Sequence, residues 1–151
     1  EQVRFEGRLD FQVDVDGEVM GETLLKHTLQ PLVENSIKHG IEPYHIKGEI
    51  RIAITGEGDK LCIVVSDNGK GMKDEVLSSL QQMWANIETA QETRSDGRGG
   101  VGIRNIMKRL WLCYGEQASF VVSSRAEEGT RMELRFPRCA PVKKTDKLDG
   151  E

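Results

Sequence analysis

A carboxamide, an ammonium and an imidazole lie close together in the segment PLVENSIKHG. At about 100° per residue, Asn35, Lys38 and His39 fall on one side of the helix that this segment predicts. An amide oxygen is a suitable ligand for Mg²⁺, and a lysine ammonium is a point charge for phosphate. By itself, however, an ordinary solvated helix face is the simpler explanation. Glu34 points elsewhere and lies nearer Lys38, so a surface ion pair is its simplest role.

A second group of polar residues follows the apolar segment Leu61–Ser66, in the sequence DNGKGM. The carboxylate of Asp67 is an acceptor and suits an exocyclic amine. Gly69 and Gly71 lack a Cβ, which lets the backbone approach a flat ring, although a plain β-turn would also use them. A calcium loop is excluded because Gly69 stands where a ligand is required. A Walker A loop is excluded because Gly71 stands where Ser or Thr is required.

Two more segments could bind a ligand through backbone or hydroxyl groups. The sequence GRGGVGI, with Gly100 and Gly102, opens the predicted helix Val101–Tyr114. Free N–H groups at a helix start attract anions, although a flexible linker is the commoner explanation of a glycine cluster. The sequence EEGT, ending at Thr130, by itself predicts a hairpin turn that carries a hydroxyl.

The elements that must position these residues follow from hydrophobic periodicity. Pro31 predicts either a kink or the start of the main helix, and Gly40 is a plausible C-cap. Paired strands joined by tight turns predict an α+β fold: a mixed, mostly antiparallel sheet covered on one face by about three helices. The predicted strands are Arg8–Val15, Glu49–Thr55, Leu61–Ser66, Ser119–Ser124 and Arg131–Phe136, and the predicted helices are Thr23–His39, Lys73–Ile87 and Val101–Tyr114.

Composition excludes several classes of protein. The chain of 151 residues has a net charge of −4, which argues against a nucleic-acid partner. Its longest apolar run, Leu61–Val65, is too short to cross a bilayer, so we expect no direct membrane contact by this domain. Three cysteines without a C-x-x-C pair predict reduced thiols, with neither a disulfide framework nor a zinc site. The first residue is Glu1, and we expect the chain to be a piece of a longer protein.

Taken in order, PLVENSIKHG, DNGKGM, GRGGVGI and EEGT resemble the N, G1, G2 and G3 boxes of the GHKL superfamily of gyrase, chaperone, histidine-kinase and mismatch-repair ATPases. The chain is most similar to the LytS/YesM-like sensor histidine kinases. Their N box LQPLVENAIKHG corresponds to Leu29–Gly40, and their G2 sequence GIGLRNVRERL corresponds to Gly100–Leu110. Arg4-Phe5 resembles the RF that ends their preceding helix. The resemblance extends roughly from Arg4 to Pro137.

This resemblance implies a two-layer Bergerat-type sandwich over residues 1–137, with a disordered tail at 138–151. It implies ATP and Mg²⁺ as ligands. Asn35 would coordinate Mg²⁺, and Lys38, with His39, would contact phosphate or ribose.

Within the same resemblance, Asp67 would accept the adenine amino hydrogen, partly through a water shared with Thr130. Residues Glu92–Gly99 would form the ATP lid. Arg98 departs from the pattern, because a further glycine often stands there. The backbone groups implied in the site belong to Gly69 and Gly71 around adenine, and to Gly100 and Gly102 at the phosphates.

A second departure concerns hydrolysis. The hydrolysing members of the superfamily carry a water-activating glutamate at the place of Pro31, and proline is no base. Glu34 is a weaker candidate for the general base, because its side chain points in a different direction from Asn35 on the helix. The resemblance therefore implies a protein-histidine kinase: the ATP-binding part of a two-component sensor, which transfers phosphoryl to a histidine outside this chain. The alternatives are a GHKL ATPase, a nucleotide-sensing module and a serine kinase of the anti-sigma type.

The implied partners are the protein's own upstream phosphoacceptor helices, which would form a homodimer, and a downstream response regulator. The implied location is the cytoplasmic part of a membrane-anchored bacterial protein.

Overall fold

The computed structural model describes residues 9–16, 29–41, 47–89 and 101–138. Within these ranges, five strands form one sheet and three helices pack on it. The strands are β1 (Leu9–Val15), β2 (Gly48–Glu57), β3 (Lys60–Asp67), β4 (Ser119–Arg125) and β5 (Gly129–Pro137). The helices are α1 (Leu29–Asn35), which continues as a π-helical turn over Ser36–Ile41, α2 (Asp74–Ala85) and α3 (Val101–Tyr114), which a 3-10 turn follows at Gly115–Gln117.

The sheet has the order β1-β2-β3-β5-β4. Strand β1 runs parallel to β2, and the remaining pairs are antiparallel. Alternate residues of each inner strand face the helices, as period-two alternation requires. On β2 these residues are Ile50, Ile52 and Ile54, all of them buried. The predicted α+β fold, with a mixed and mostly antiparallel sheet covered on one face, is confirmed.

The helices bury one stripe each against that face. Helix α3 contributes Ile103, Met107 and Leu110, which are 1 % exposed or less. Helix α1 contributes Leu32, and helix α2 contributes Leu80. Burying side chains of this size contributes about 1.5–3 kcal/mol each, so this layer is the main source of stability.

The other face of the sheet carries charges. Glu133 accepts from Arg131 Nη1 at 2.7 Å and pairs with Arg135 Nη2 at 2.8 Å, and Arg135 Nε lies 3.5 Å from Glu57. Exposed ion pairs contribute little to stability. The sheet therefore has one apolar face and one charged face. We expect any site for an apolar or aromatic ligand among the helices or at the strand ends.

Three local expectations were wrong. The helix is not regular after Asn35, because Ser36–Ile41 is a π-helical turn. The helical turn passes through Gly40 to Ile41, so Gly40 is not its C-cap. At the far end of β1, Val13 and Val15 remain 57 % and 42 % exposed, although alternation predicted a buried face. Their strand is an edge of the sheet, where fewer neighbours cover a side chain.

Some predictions lie outside the described residues: the start of the first predicted helix at residues 23–28, the loop 92–100 and the tail from residue 139. Arg138 is described, and its backbone N–H donates to the Asp59 carbonyl at 2.9 Å. Cys62 and Cys113 are free thiols, while Cys139 lies outside. Over the described helices, none combines the length and apolar character that a membrane span needs.

Candidate functional site

A row of three polar side chains closes the helix-covered face of the sheet. The register pairs Asp67 with Thr130 across β3 and β5, and Thr130 with Ser124 across β5 and β4. Residues directly opposite on adjacent strands point to the same face, so the three side chains are neighbours. The next row inward is Val65–Met132–Val122, and all three are buried. The apolar layer therefore ends in a carboxylate and two hydroxyls.

Asp67 is half-buried at one end of this row. Its Oδ1 accepts the Gly69 N–H at 2.9 Å. Burial raises the pKa of Asp67 above its ordinary value of 3.8, and the neighbouring Ser36 hydroxyl and the backbone amides of Gly69 and Thr130 oppose that rise without cancelling it. The Ser36 hydroxyl is buried beside the carboxylate, yet finds no well-formed hydrogen bond among the described residues. Ser36 thus brings the helix segment that holds Asn35 against the row.

Two glycines allow the row and its loop to approach one another. Gly129 has φ +106°, and a Cβ there would lie 1.9 Å from the Asp67 carbonyl oxygen. Gly71 has φ +81°, and a Cβ there would lie 2.3 Å from the Arg125 carbonyl oxygen. Both positions need glycine because the backbone conformation and the close contact each exclude a side chain. Gly71 therefore allows the DNGKGM loop to pack against β4, in addition to its predicted role beside the adenine ring.

The loop between Asp67 and Met72 is fixed from two sides. The Asn68 Oδ1 accepts the Glu49 N–H at 2.8 Å, and the Asn68 N–H donates to the Glu49 carbonyl at 3.2 Å. On the other side, the Glu127 N–H donates to the Lys70 carbonyl at 2.7 Å. Glu127 itself has φ +66°, in the turn between β4 and β5. The loop is thus held in place by β2 and by the β4–β5 hairpin.

Asn35 and Lys38 lie at the junction of α1 with the π-helical turn. Asn35 is half-buried and Lys38 is exposed, and neither polar group has a hydrogen-bond or ion-pair partner among the described residues. The expected Glu34–Lys38 ion pair is absent from the described contacts: Glu34 Oε1 instead accepts from Gln30 Nε2 at 3.0 Å. Gln30 lies four residues earlier in regular helix, whereas the wider turn after Asn35 breaks the four-residue spacing to Lys38.

The start of α3 packs against α1. A Cβ at Gly102 would lie 3.4 Å from Pro31 Cβ, so the first turn of α3 sits beside that proline. This contact brings the predicted phosphate-binding helix start to the helix that carries Asn35. Gly100 lies outside the described residues, and so does the side chain of His39.

A groove of about 450 Å³ lies at the same end of the sheet. Of the predicted site residues it includes Asp67 and Thr130, but it is also lined by Ser66, Ser123 and Arg131, the register row whose side chains point to the opposite, charged face of the sheet. Asn35 and Lys38 are not among the residues that line it. The groove therefore lies at the strand ends toward the charged face, and it does not by itself mark the predicted adenine pocket.

Sequence reasoning missed Ser124. Its Oγ accepts the Met72 N–H at 2.7 Å and donates to the Gly129 carbonyl at 2.9 Å. The signal was present, because a hairpin with its turn centred at Glu127 pairs Ser124 with Thr130. Recognising that pair requires the register of the hairpin, and the alternation within each strand leaves the register open.

The family described as histidine kinase-, DNA gyrase B- and HSP90-like ATPase matches residues 20–140. The chain belongs to this family. The predicted kinship with the GHKL superfamily, and with its YesM- and LytS-type members, is confirmed.

Curated relatives and a solved structure that resemble the chain are also histidine kinases by name. The chain is 36 % identical over 137 residues to the sensor histidine kinase YesM of Bacillus subtilis, and 33 % identical to the sensor histidine kinase YpdA of Escherichia coli. These matches cover 91 % of the chain but 21 % and 22 % of the two relatives. The catalytic domain of histidine kinase ThkA is similar in structure, with a TM-score of 0.61 at 19 % identity over 91 % of this chain and 87 % of that one.

Proposed function

We propose that this domain binds Mg-ATP and supplies its γ-phosphoryl group to a histidine in the upstream helices of a two-component sensor histidine kinase. The observation that carries the proposal is the pairing of Asp67 with Thr130 at the open end of a buried sheet face, beside a fixed glycine loop. A half-buried carboxylate is an acceptor that an exocyclic amine satisfies. The amine of adenine is such a donor.

At the adenine end, Asp67 accepts one amino hydrogen, and Thr130 shares a water with the carboxylate. Gly69 and Gly71 border the ring through their backbone. The close contact with Arg125 fixes the position of the Gly71 backbone. The close contact with Gly129 fixes the position of the Asp67 backbone. The pocket is therefore preorganised, which reduces the entropy that binding would otherwise cost.

At the phosphate end, Lys38 supplies a positive charge, and His39 contacts phosphate or ribose. Gly100 and Gly102 present backbone N–H groups at the positive end of α3. Asn35 fits a role at Mg²⁺, since its amide is half-buried and free of described partners. When bound, such a cation would neutralise phosphate charge, and Asn35 would suffice as its protein ligand because Mg²⁺ is usually held by one or two protein groups together with substrate phosphates.

Transfer to a protein, rather than rapid hydrolysis, follows from the helix that faces the phosphates. Pro31 packs beside Gly102 and occupies the position at which the hydrolysing members of the superfamily carry a glutamate. Proline has no group that could activate water. Glu34 stays a weaker candidate base, because its carboxylate is engaged by Gln30. Phosphoryl transfer needs little more than alignment and charge stabilisation, which this domain supplies to an incoming imidazole.

The parent protein would be a homodimer through its phosphoacceptor helices. It would be anchored in the membrane with this domain in the cytoplasm, and would pass the phosphoryl group on to a response regulator. These features belong to segments outside this chain. The chain spans about a fifth of the curated relatives named above.

The test uses labelled ATP and Mg²⁺ with the chain alone and with the parent's upstream helical segment added. We expect label on a histidine of the added segment and none on the chain, whose three histidines, His27, His39 and His45, belong to or adjoin the predicted N-box helix. An Asn35→Ala chain should fail to label the segment, with transfer reduced at least about 100-fold, since it loses the proposed protein ligand to Mg²⁺.

The matched control is Asn86→Ala, which changes an exposed amide at the end of α2 and should leave transfer unchanged. Multiple-turnover hydrolysis by the chain alone would contradict the proposal and favour a gyrase-like ATPase. Acid-stable label on a serine would favour the anti-sigma type of kinase, and binding without transfer would favour a nucleotide-sensing module.

A further inference from the structure

Ser124 is the third member of the polar row and has no part in the function proposed so far. Its hydroxyl oxygen has three neighbours at hydrogen-bonding distance: the Met72 amide at 2.7 Å, the Gly129 carbonyl at 2.9 Å and the Thr130 hydroxyl at 3.1 Å. The three belong to the glycine loop, the hairpin turn and the predicted adenine site. Ser124 therefore contacts all the parts that surround the amine-binding end.

Counting protons fixes the direction of each bond. A serine hydroxyl has one proton to donate and two lone pairs to accept with. The Met72 N–H is a donor, so it takes one lone pair. The Gly129 carbonyl is an acceptor and lies nearer than Thr130, so it takes the Ser124 proton. The remaining lone pair of Ser124 then accepts the Thr130 hydroxyl proton.

This arrangement leaves Thr130 without a proton for a ligand. Its Oγ1 donates its one proton to Ser124 and can offer lone pairs alone. Asp67, the next side chain in the row, also offers lone pairs. The row then presents acceptors and no donor at the end of the sheet.

We propose that Ser124 is a positioning residue that sets base specificity: by holding the Thr130 proton, it makes the row reject a purine with a carbonyl where adenine has its amine. The inference rests on the proposed ATP function. A six-amino purine donates to Asp67 and to the water that Asp67 shares with Thr130, and that water gives its own protons to the two acceptors. A six-oxo purine would place a further acceptor against them, leaving polar groups unpaired.

The experiment compares ATP with inosine triphosphate, which differs from ATP in carrying a carbonyl and a ring N–H in place of the amine and the bare ring nitrogen. Binding of each to the whole chain with Mg²⁺ is measured by titration calorimetry. In Ser124→Ala the Thr130 hydroxyl is free to donate its proton to the shared water, which can then turn one of its own protons toward that carbonyl. We expect the ratio of ATP to inosine triphosphate affinity to fall about 2- to 10-fold, the range of one hydrogen bond.

Three variants separate this role from a structural one. Ser124→Thr keeps the hydroxyl and should restore the ratio. Thr130→Val removes the hydroxyl through which Ser124 acts, so adding Ser124→Ala to it should leave the ratio where Thr130→Val put it. Ser123→Ala changes the adjacent, exposed serine of β4 and should have no effect.

Equal losses of affinity for both nucleotides in Ser124→Ala would overturn the inference, because they would mean that Ser124 merely holds the loop. A ratio that falls as much in the Thr130→Val background would overturn it too. If Ser124→Ala fails to fold, binding measurements on the unaltered chain still test whether the row offers acceptors alone. There, purine riboside triphosphate, which lacks the amine, should bind more tightly than inosine triphosphate, and the reverse order would refute an acceptor-only row. Should the unaltered chain bind no ATP at all, the proposed function fails and the specificity question does not arise.

Discussion

Replacing Gly129 by alanine is expected to lower the free energy of unfolding by roughly 3 kcal/mol or more. The backbone there has φ +106°, and the new Cβ would lie 1.9 Å from the Asp67 carbonyl oxygen. Both strands would have to separate at the point where β3 meets β5. For a chain of this length the loss corresponds to roughly 6–12 °C in melting temperature. Urea denaturation followed by circular dichroism measures it.

The matched control is Gly58→Ala. Gly58 also has a left-handed backbone, with φ +62°, but a Cβ there would meet nothing within 4 Å. Its loss should stay near 1 kcal/mol, the cost of the backbone conformation alone. The difference between the two variants measures the contact with Asp67. Equal losses would show that the close approach of β5 to Asp67 contributes nothing.

Replacing Asp67 by asparagine is expected to weaken ATP binding roughly 5- to 150-fold, which is about 1–3 kcal/mol. The amide keeps the shape of the side chain but puts a donor where the adenine amine needs an acceptor. Titration calorimetry with Mg-ATP measures the change. Asp14→Asn, the same change at an exposed position of β1, should leave binding unchanged. An unaltered affinity in Asp67→Asn would remove Asp67 from the site.

The same substitution should stabilise the ligand-free fold at neutral pH. Burial is the largest influence on Asp67 and raises its pKa above 3.8, so the folded state disfavours the charged form. The favourable contribution of the Asp67 carboxyl group to the free energy of unfolding is present below pH 3.8 and is lost as the pH rises through the raised pKa. The advantage of Asp67→Asn is thus expected to be greatest near pH 7 and to shrink on acidification toward pH 3.8. Denaturation midpoints across this range test the sign, and a variant that is less stable at every pH would contradict it.

ATP affinity should follow the opposite course. Protonation converts one carboxylate acceptor into a donor, so binding to the unaltered chain should weaken as the pH falls through the raised pKa of Asp67. The Asp67→Asn variant should lack this dependence. The contrast identifies a group that is kept for binding at some cost in stability.

The regular elements could be predicted because their patterns are local. Helix α3 begins and ends where periodicity placed it, at Val101 and Tyr114. The apolar run Leu61–Ser66, with a turn sequence on each side, predicted β3 to within one residue at each end. In both segments the burial of a single element determines which residues are apolar, and that pattern is present in consecutive residues.

Features that depend on contacts between distant segments were beyond such patterns. The π-helical turn buries the adjacent residues Ser36 and Ile37, which a regular amphipathic stripe does not predict. Ser124 looks like an ordinary strand serine until β5 and the DNGKGM loop are placed around it. The motif order located Asp67 and Thr130, but their direct pairing required the strand register.

The strand order also governs how the domain assembles as it is synthesised. Asp67 ends the β2–β3 hairpin, whereas Thr130 and Ser124 belong to the β4–β5 hairpin, and the chain makes α2 and α3 in between. Each hairpin is a local contact that forms quickly, but joining β3 to β5 closes a long loop and is the slower event. Until β5 leaves the ribosome, β3 has one unpaired edge. The docking of the two hairpins therefore both covers that aggregation-prone edge and creates the nucleotide-binding row, so a nascent chain gains protection and ligand affinity in the same step.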